Sequence, residues 1–183
     1  MDERAELADI LKKKSLFHGD FILASGRRTS YYFDCKQTTY SDPRGLELAA
    51  TLILAHLRPL RNRIKGIGGL TLGAAPLAVE VSQRALREGW TLPAFAVRKE
   101  PKRHGRQRLL EGTIDPSWEV AIVDDVITSG DSVIRAIEAV EAEGAKVARI
   151  VVLVDRKEGG AEALKGKGYD YVPIFELEEL IDR

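Results

Sequence analysis

Hydrophobic and polar positions change their spacing several times along the chain, and each change marks a predicted element. Residues 3–13 carry apolar side chains at helical spacing, which predicts a short amphipathic helix. From residue 17 to 40, aromatic and β-forming residues are broken by glycines and polar turns, which predicts a hairpin-like region. Asp42 followed by Pro43 is a good helix start, so we expect a helix from there to about Leu57.

From about residue 64, short apolar runs alternate with amphipathic segments. The apolar runs predict strands at 64–69, 91–98, 119–126, 147–154 and 169–175. The intervening segments predict helices at 74–88, 130–143 and 160–166, a polar loop at 99–117 and a terminal helix over 176–183. Strands that are apolar throughout and alternate with helices imply a mostly parallel sheet with helices on both faces. The predicted fold class is therefore α/β, with a central sheet of about five strands.

Composition and charge narrow the class of protein. A chain of 183 residues, 44% of them hydrophobic, fits one globular domain with a full core. Its 28 Lys and Arg balance 28 Asp and Glu, so the overall charge gives no indication of a polyanionic partner. The single cysteine, Cys35, excludes an intramolecular disulfide and is typical of a reducing cytosol. We find no signal peptide and no apolar run near the roughly 20 residues of a membrane span, and we expect a soluble, cytoplasmic protein.

Polar or glycine-rich residues stand at the ends of four predicted strands. In chain order they are Gly68-Gly69, Arg98-Lys99, Asp124-Asp125 and Asp155-Arg156. Ligands of open parallel sheets bind outside the carboxyl ends of the strands, so we expect these residues to meet at one rim.

The stretch VDDVITSGDS, residues 123–132, predicts a phosphate site beside a pair of carboxylates. A turn at Gly130 between a strand and a helix can direct backbone N–H groups, side-chain hydroxyls and the positive end of the helix dipole at one anion. The hydroxyls belong to Thr128, Ser129 and Ser132. Asp124 and Asp125 would repel that anion, so they must face ribose hydroxyls, Mg²⁺ or developing positive charge on a sugar. The residues indicate a ribose 5-phosphate; a capped helix with solvated carboxylates is the plainer alternative.

Residues 98–108, RKEPKRHGRQR, concentrate positive charge in a segment without an apolar anchor. Six Lys or Arg side chains stand against one Glu, a formal charge of +5. A mobile loop of this kind can close over a polyanion and exclude water from it. A pyrophosphate leaving group is a suitable target, and a nucleic-acid backbone or a merely solvated loop are the alternatives.

The stretch at 123–132 resembles the phosphoribosyl pyrophosphate (PRPP) motif of the type I phosphoribosyltransferases, in which an acidic pair and V-I-T-S-G follow an apolar strand. The resemblance implies the fold of that family in a single domain over 1–183, with a small N-terminal hood from about 1–40 and a PRPP-binding core over 60–176. It also implies that the acidic pair approaches the ribose and that the turn holds the 5-phosphate. The PRPP-binding residues expected from it are Arg98, Lys99, Lys102, His104, Asp124, Asp125, Val126, Ile127, Thr128, Ser129, Gly130, Asp131 and Ser132.

Three segments are similar to those of orotate phosphoribosyltransferases. The pattern R-K-x-x-K-x-H-G with a later E-G, here from Arg98 to Glu111-Gly112, looks like their catalytic loop, whose cations contact pyrophosphate and reach into a neighbouring subunit. The segment FILASGRRTSYYFDCK (21–36) resembles the orotate-side motif, and VDRKEGG (154–160) resembles the segment whose arginine meets the substrate carboxylate. The expected orotate-binding residues are Thr128, Arg156, Tyr32 and Phe33. Core packing is the alternative for the aromatic pair, and a surface ion pair with Asp155 or Glu158 is the alternative for the arginine.

The resemblance implies transfer of the phosphoribosyl group from PRPP to orotate in pyrimidine biosynthesis, by a homodimer that uses Mg²⁺. The expected catalytic residues are Lys99, Lys102, His104, Asp124 and Asp125, with Mg²⁺ carried by PRPP near the acidic pair. Ala24 and Leu72 stand where many orotate enzymes have lysine, and Lys36 or a backbone group is the candidate substitute. A transferase for another base, or a PRPP-sensing regulator that binds nucleic acid, are the alternatives. Zero net charge and the lack of a helix-turn-helix pattern argue against the regulator, so nucleic acid is not expected as a partner. The shortness of the apolar runs likewise excludes a membrane as a partner.

Overall fold

The structure is a computed structural model that describes residues 2–22, 26, 28–100 and 109–181. In these ranges the chain alternates between helices and strands in the predicted α/β order. The helices are α1 (Glu3–Ser15), α2 (Lys36–Thr39), α3 (Pro43–Leu57), α4 (Ala74–Arg87), α5 (Asp131–Ala142) and α6 (Gly160–Gly166). The strands are β1 (Leu16–Ile22), β2 (Arg28–Phe33), β3 (Ile64–Leu70), β4 (Ala94–Val97), β5 (Leu110–Glu111), β6 (Glu119–Ile127), β7 (Lys146–Asp155) and β8 (Tyr171–Glu176).

Within the described residues, the main sheet has six strands in the order β5-β4-β3-β6-β7-β8. Five of them run parallel, and the two-residue β5 pairs antiparallel with β4, with Glu111 opposite Ala96. The expected mostly parallel sheet is confirmed; β5 is the extra strand, inside the segment predicted to be a loop, and it is too short to show an apolar pattern. The chain leaves β3 for β4 and then returns to the other side of β3 at β6. The topological switch point, where such sheets bind ligands, therefore lies between β3 and β6.

The main sheet is buried on both faces. In β6, Ala121 and Val123 belong to the core that contains α3 and α4, whereas Val120 and Ile122 belong to the core that contains α5. Since successive side chains of a strand point to opposite faces, the alternation places these two cores on opposite sides of the sheet. The unbroken apolar strands of the sequence are explained by this arrangement.

Local sequence sets the start of α3 at the predicted position. The Asp42 side chain accepts a hydrogen bond from the Gly45 backbone N–H at 2.9 Å, and Pro43 occupies the first turn, where its missing N–H is not needed.

None of the helices in the described ranges has the length and apolar character required to cross a bilayer.

The two ends of the chain differ in how well they were predicted. The hairpin-like region is confirmed, because β1 and β2 form a separate antiparallel pair with Leu16 opposite Phe33. The short α2 that follows was not predicted. The terminal helix is wrong for the described part of 176–183, where the chain makes a single 3₁₀ turn, Leu177–Glu179, with a capping box between Glu176 and Glu179. Leu177 and Leu180 are buried there, so core packing rather than helix length fixes this end.

Candidate active site

The switch point opens into a cavity of about 230 Å³. Its lining residues come from the ends of β3 and β6 with the turns that follow them, from the starts of α2 and α5, and from the residues after β4. They are Lys36, Leu70, Thr71, Leu72, Gly73, Lys99, Asp124, Asp125, Val126, Thr128 and Ser132. A second cavity of about 190 Å³ is lined by Asp124 and residues 126–133. The two cavities share four lining residues, Asp124, Val126, Thr128 and Ser132, so they form one continuous cleft. Of the four rim segments predicted from the sequence, two line the cleft, Arg98-Lys99 through Lys99 and the pair Asp124-Asp125. At the end of β3 the lining begins at Leu70, just after the predicted Gly68-Gly69, and Asp155-Arg156 is not among the lining residues.

The acidic pair lies at the centre of this cleft. Asp124 and Asp125 are each only 5% exposed. Asp124 accepts a hydrogen bond from the Asp125 backbone N–H, and Asp125 accepts one from the Val126 N–H, both at 3.0 Å. Burial, and after it the negative charge of Asp125, raises the pKa of Asp124 well above its usual range. Two ionised carboxylates in this position therefore require a cation or a polar ligand beside them.

Gly73 explains how the β3 side of the cleft approaches the acidic pair. A Cβ atom at this position would overlap with the Oδ1 atoms of both Asp125 and Asp124. Only glycine permits this close approach of backbone to carboxylate. The Tyr40 hydroxyl holds the same loop by donating a hydrogen bond of 2.7 Å to the carbonyl oxygen of Leu72. The segment 71–73 therefore forms a wall of the cleft made largely of backbone.

The turn predicted to hold a phosphate lies between β6 and α5. Gly130 has φ of 90°, a left-handed conformation that glycine adopts without strain, and it precedes the first turn of α5. The Thr128 and Ser132 side chains line both cavities, while the Ser129 hydroxyl donates to the Asp131 carboxylate at 2.9 Å. The positive end of the helix dipole and the hydroxyls suit an anion here. Asp131 is the one feature of the turn that opposes it.

Lysine side chains stand on the other side of the acidic pair. The Lys36 Nζ is 3.6 Å from Oδ2 of Asp125 and 3.9 Å from Oδ1 of Asp34. Partial burial opposes the charge of Lys36, but the carboxylates of Asp125 and Asp34 outweigh it and raise the pKa of the ammonium group. Lys99 lines the same cavity. The sequence analysis named Lys36 only as a candidate substitute for an absent lysine. A single lysine after a predicted strand belongs to no recognisable pattern, so its place beside Asp125 could not be predicted.

Of the predicted basic loop, 98–108, the structure describes only the first residues, 98–100. Arg98 lies 3.2 Å from Glu111 (Nη1 to Oε1), and its backbone N–H donates to the carbonyl of Leu109 at 2.8 Å. The ion pair and the hydrogen bond therefore join the residue at the start of the loop to residues just after its end. Lys102 and His104 lie outside the described residues, as does Ala24.

Arg156 follows β7 and approaches the end of β6, where its N–H donates to the Ile127 carbonyl at 3.1 Å. Its Nη2 is 2.9 Å from Oε1 of Glu158, which is the ion pair that the sequence left open as an alternative. The Nε atom, however, is buried and has no hydrogen-bond partner within the described ranges. A guanidinium group with a donor left over can still take a planar carboxylate as a ligand.

The aromatic pair of β2 is divided between core and surface. Phe33 is 6% exposed and belongs to the main core, whereas Tyr32 is 45% exposed and stacks at a tilt near Phe17 and Phe21. The predicted ring-stacking role of Phe33 is therefore corrected, because strand alternation turns its side chain inward. Tyr32 is left as the exposed ring of the pair.

Comparison with known proteins agrees with this geometry. The family model described as the phosphoribosyl transferase domain matches residues 40–168. A curated orotate phosphoribosyltransferase of Rhodopseudomonas palustris (strain BisB5) is 38% identical over 184 residues, covering 98% of this chain and 97% of that protein. This chain belongs to the orotate phosphoribosyltransferase family.

Solved structures of this family share the fold over nearly the whole chain. The orotate phosphoribosyltransferase of Mycobacterium tuberculosis H37Rv in complex with Fe(III) dicitrate has a TM-score of 0.87 at 36% identity, covering 97% of this chain and 98% of that chain. A second structure of the enzyme from the same organism, in complex with PRPP, has a TM-score of 0.82 at 32% identity and covers the same shares of the two chains. The type I phosphoribosyltransferase fold expected from the sequence is thereby confirmed.

Proposed function

We propose that the protein transfers the phosphoribosyl group of PRPP to N1 of orotate, forming orotidine 5′-monophosphate and pyrophosphate in pyrimidine biosynthesis. The observation that carries the proposal is the continuous cleft, in which the turn at Gly130, a buried acidic pair and lysine side chains meet at the switch point. A ribose phosphate with a charged substituent at C1 presents the complementary groups in the same order. The relatives named above act as orotate phosphoribosyltransferases.

The turn at 128–132 is proposed to hold the 5-phosphate through its backbone N–H groups, the hydroxyls of Thr128 and Ser132 and the start of α5. With this end fixed, the ribose lies over Asp124 and Asp125, whose carboxylates accept hydrogen bonds from the hydroxyls. Positive charge that develops at the sugar carbon during transfer is then close to two anions. Lys99, together with Arg98, Lys102 and His104, is proposed to neutralise the departing pyrophosphate.

Mg²⁺ is part of the same proposal, and the acidic pair fits it chemically. Oδ2 of Asp125 is buried and has no hydrogen-bond partner in the part of the chain that the structure describes, and carboxylate oxygens are the ligands that Mg²⁺ prefers. No group of three or more His, Cys, Asp or Glu side chains suited to a metal occurs in that part. PRPP and water would therefore supply the remaining ligands. When bound, the ion would reduce the negative charge of the pyrophosphate.

Orotate is proposed to bind between Arg156 and Tyr32, with Thr128 beside them. A carboxylate pairs with a guanidinium group in a two-pronged geometry that neither uracil nor a purine can reproduce. Replacing Arg156 by Ala should therefore raise the KM for orotate about 10- to 100-fold and leave the KM for PRPP nearly unchanged. Arg63→Ala is the matched control, since Arg63 pairs with Glu119 at the amino ends of β3 and β6, at the far end of these strands from the cleft. Equal effects on both substrates would overturn the assignment of Arg156.

A homodimer with shared active sites, a cytoplasmic location and the division into a hood (about 1–40) and a core (60–176) complete the proposal. The dimer and the division into hood and core are supported by the resemblance of the basic loop and the N-terminal motif to those of the family. The cytoplasmic location is supported by the single cysteine, Cys35, which is typical of a reducing cytosol. Light scattering during size-exclusion chromatography tests the dimer directly: a monomer at micromolar concentration would contradict it.

A further inference from the structure

We propose that Lys36 is a binding residue for the pyrophosphate group of PRPP, and that its pairing with Asp125 holds the ammonium group ready at that place. The inference rests on the proposed function, because it assigns a new residue to the same cleft. It starts from the position of Lys36 as the first residue of α2, where the chain enters the helix directly after Cys35. The side chain lines the 230 Å³ cavity together with Lys99 and the segment 71–73.

The contact between Lys36 and Asp125 is not a closed structural ion pair. Its Nζ–Oδ2 distance of 3.6 Å exceeds the usual length of a hydrogen bond, and so does the 3.9 Å to Asp34. The Lys36 side chain is 48% exposed, whereas that of Asp125 is 7% exposed. Oδ2 of Asp125 has no hydrogen-bond partner among the described residues. An ammonium group has three donors, so Lys36 keeps capacity for a ligand in the cleft.

The order of groups along the cleft identifies which part of PRPP Lys36 would meet. The turn at 128–132 lies at one end and fixes the 5-phosphate, and the acidic pair lies in the middle and faces the ribose. Lys36, Lys99 and the backbone of 71–73 form the remaining wall. The substituent on C1 of the ribose must point to this wall, and in PRPP that substituent is the pyrophosphate.

The chemistry of the side chain favours the same assignment. A lysine ammonium is a compact charge that suits phosphate oxygens, while a planar carboxylate such as that of orotate is better matched by the fork of Arg156. Ribose hydroxyls are served by the acceptors of the acidic pair. Lys36 and Lys99 would thus place two positive charges against the pyrophosphate from residues that the structure describes.

A purely structural role makes a different prediction. If Lys36 only neutralises Asp125, its removal would disturb the acidic pair and weaken every ligand that contacts the ribose, including orotidine 5′-monophosphate. If it binds pyrophosphate, its removal would weaken pyrophosphate and PRPP selectively, because orotidine 5′-monophosphate lacks that group.

The experiment is calorimetric titration of wild type, Lys36→Met and Lys36→Arg with magnesium pyrophosphate, PRPP and orotidine 5′-monophosphate. Lys65→Met is the matched control, since Lys65 is an exposed lysine near the start of β3, at the far end from the cleft. We expect Lys36→Met to weaken pyrophosphate and PRPP about 10- to 100-fold, with Lys36→Arg retaining part of the affinity and Lys65→Met all of it. The affinity for orotidine 5′-monophosphate should change less than about twofold, which also shows that the variant is folded.

Unchanged pyrophosphate affinity in Lys36→Met, or equal weakening of all three ligands, would overturn the inference. The binding readout separates this result from a failure of the proposed function. Wild type that binds pyrophosphate and PRPP but does not convert orotate would contradict the proposed function alone, and the comparison at Lys36 would stand. Wild type that binds neither compound would overturn both.

Discussion

Replacing Asp124 by Asn should make the protein more stable at neutral pH while abolishing phosphoribosyl transfer. Asp124 is 5% exposed and stands beside a second buried carboxylate, Asp125. Burial, followed by the charge of Asp125, raises the pKa of Asp124, which means that the folded state opposes its ionisation. Asn removes the charge but keeps an oxygen that can accept the 3.0 Å hydrogen bond from the Asp125 N–H. The variant therefore loses the repulsion without leaving that donor unpaired.

The expected size and pH dependence of the gain follow from this shift. Substitutions that relieve an unfavourable feature of a functional site typically stabilise by about 0.5–2 kcal/mol. A chain of this size gains about 2–4 °C in melting temperature for each kcal/mol. Because the pKa is raised on folding, the destabilisation by Asp124 begins as the pH rises past the unfolded value of about 3.9 and is complete above the folded value. The advantage of Asn should therefore vanish below about pH 4 and grow above it.

Differential scanning calorimetry of wild type and Asp124→Asn between pH 4 and pH 8 measures this advantage. Asp125→Asn is the matched control. It also removes the carboxylate that lies 3.6 Å from the Lys36 ammonium group, so we expect a smaller gain from it. An Asp124→Asn variant that is less stable than wild type at pH 7, or an advantage that does not change with pH, would refute the reasoning.

Three further substitutions test other parts of the account. Gly73→Ala should lower the turnover number about tenfold or more, because the new methyl group overlaps with both carboxylates of the acidic pair. Gly166→Ala, with open space around the new atom, is the control, and equal turnover in the two variants would contradict the role given to Gly73. Asp131→Asn should tighten the binding of inorganic phosphate about twofold to fivefold in calorimetry, since a negative charge leaves the turn. Unchanged affinity would show that this carboxylate does not face the anion. Arg4→Met should lower the free energy of unfolding, measured in urea, by about 1–2 kcal/mol and leave turnover unchanged. The reason is that Arg4 donates a hydrogen bond to the Ile174 carbonyl and lies 4.5 Å over the Phe175 ring. A loss of turnover would contradict a purely structural role for Arg4.

The rim of the sheet could be predicted from the sequence because parallel strands leave a strong signal. Each of them is an apolar run, and the residues at its end stand out by their charge or by glycine. The run that contains Asp124 became β6 (Glu119–Ile127), one residue longer than predicted. Once the sheet was known to be parallel, its topology placed the ends of β3 and β6 side by side. The turn at Gly130 between β6 and α5 was predictable for a similar reason, since a turn and a helix start are both local features.

Features that depend on tertiary contacts could not be predicted from local patterns in the sequence. Whether Phe33 or Tyr32 faces the core depends on how the β1–β2 pair lies against α1, which no local pattern fixes. Lys36 reaches Asp125 only because α2 begins beside the end of β6, across nearly ninety residues of chain. The pairing of β5 with β4 and the 3₁₀ turn at Leu177 are each too short to have a period. Their positions follow from packing against larger elements.

The most direct test of the central claim is to mix the purified protein with Mg²⁺, PRPP and orotate and to follow the loss of orotate absorbance. Uracil, adenine and hypoxanthine serve as parallel acceptors under the same conditions. The account predicts PRPP-dependent consumption of orotate and none of the other bases, with one pyrophosphate released for each orotate consumed. Turnover of another base instead of orotate, or PRPP binding without turnover of any base, would contradict it.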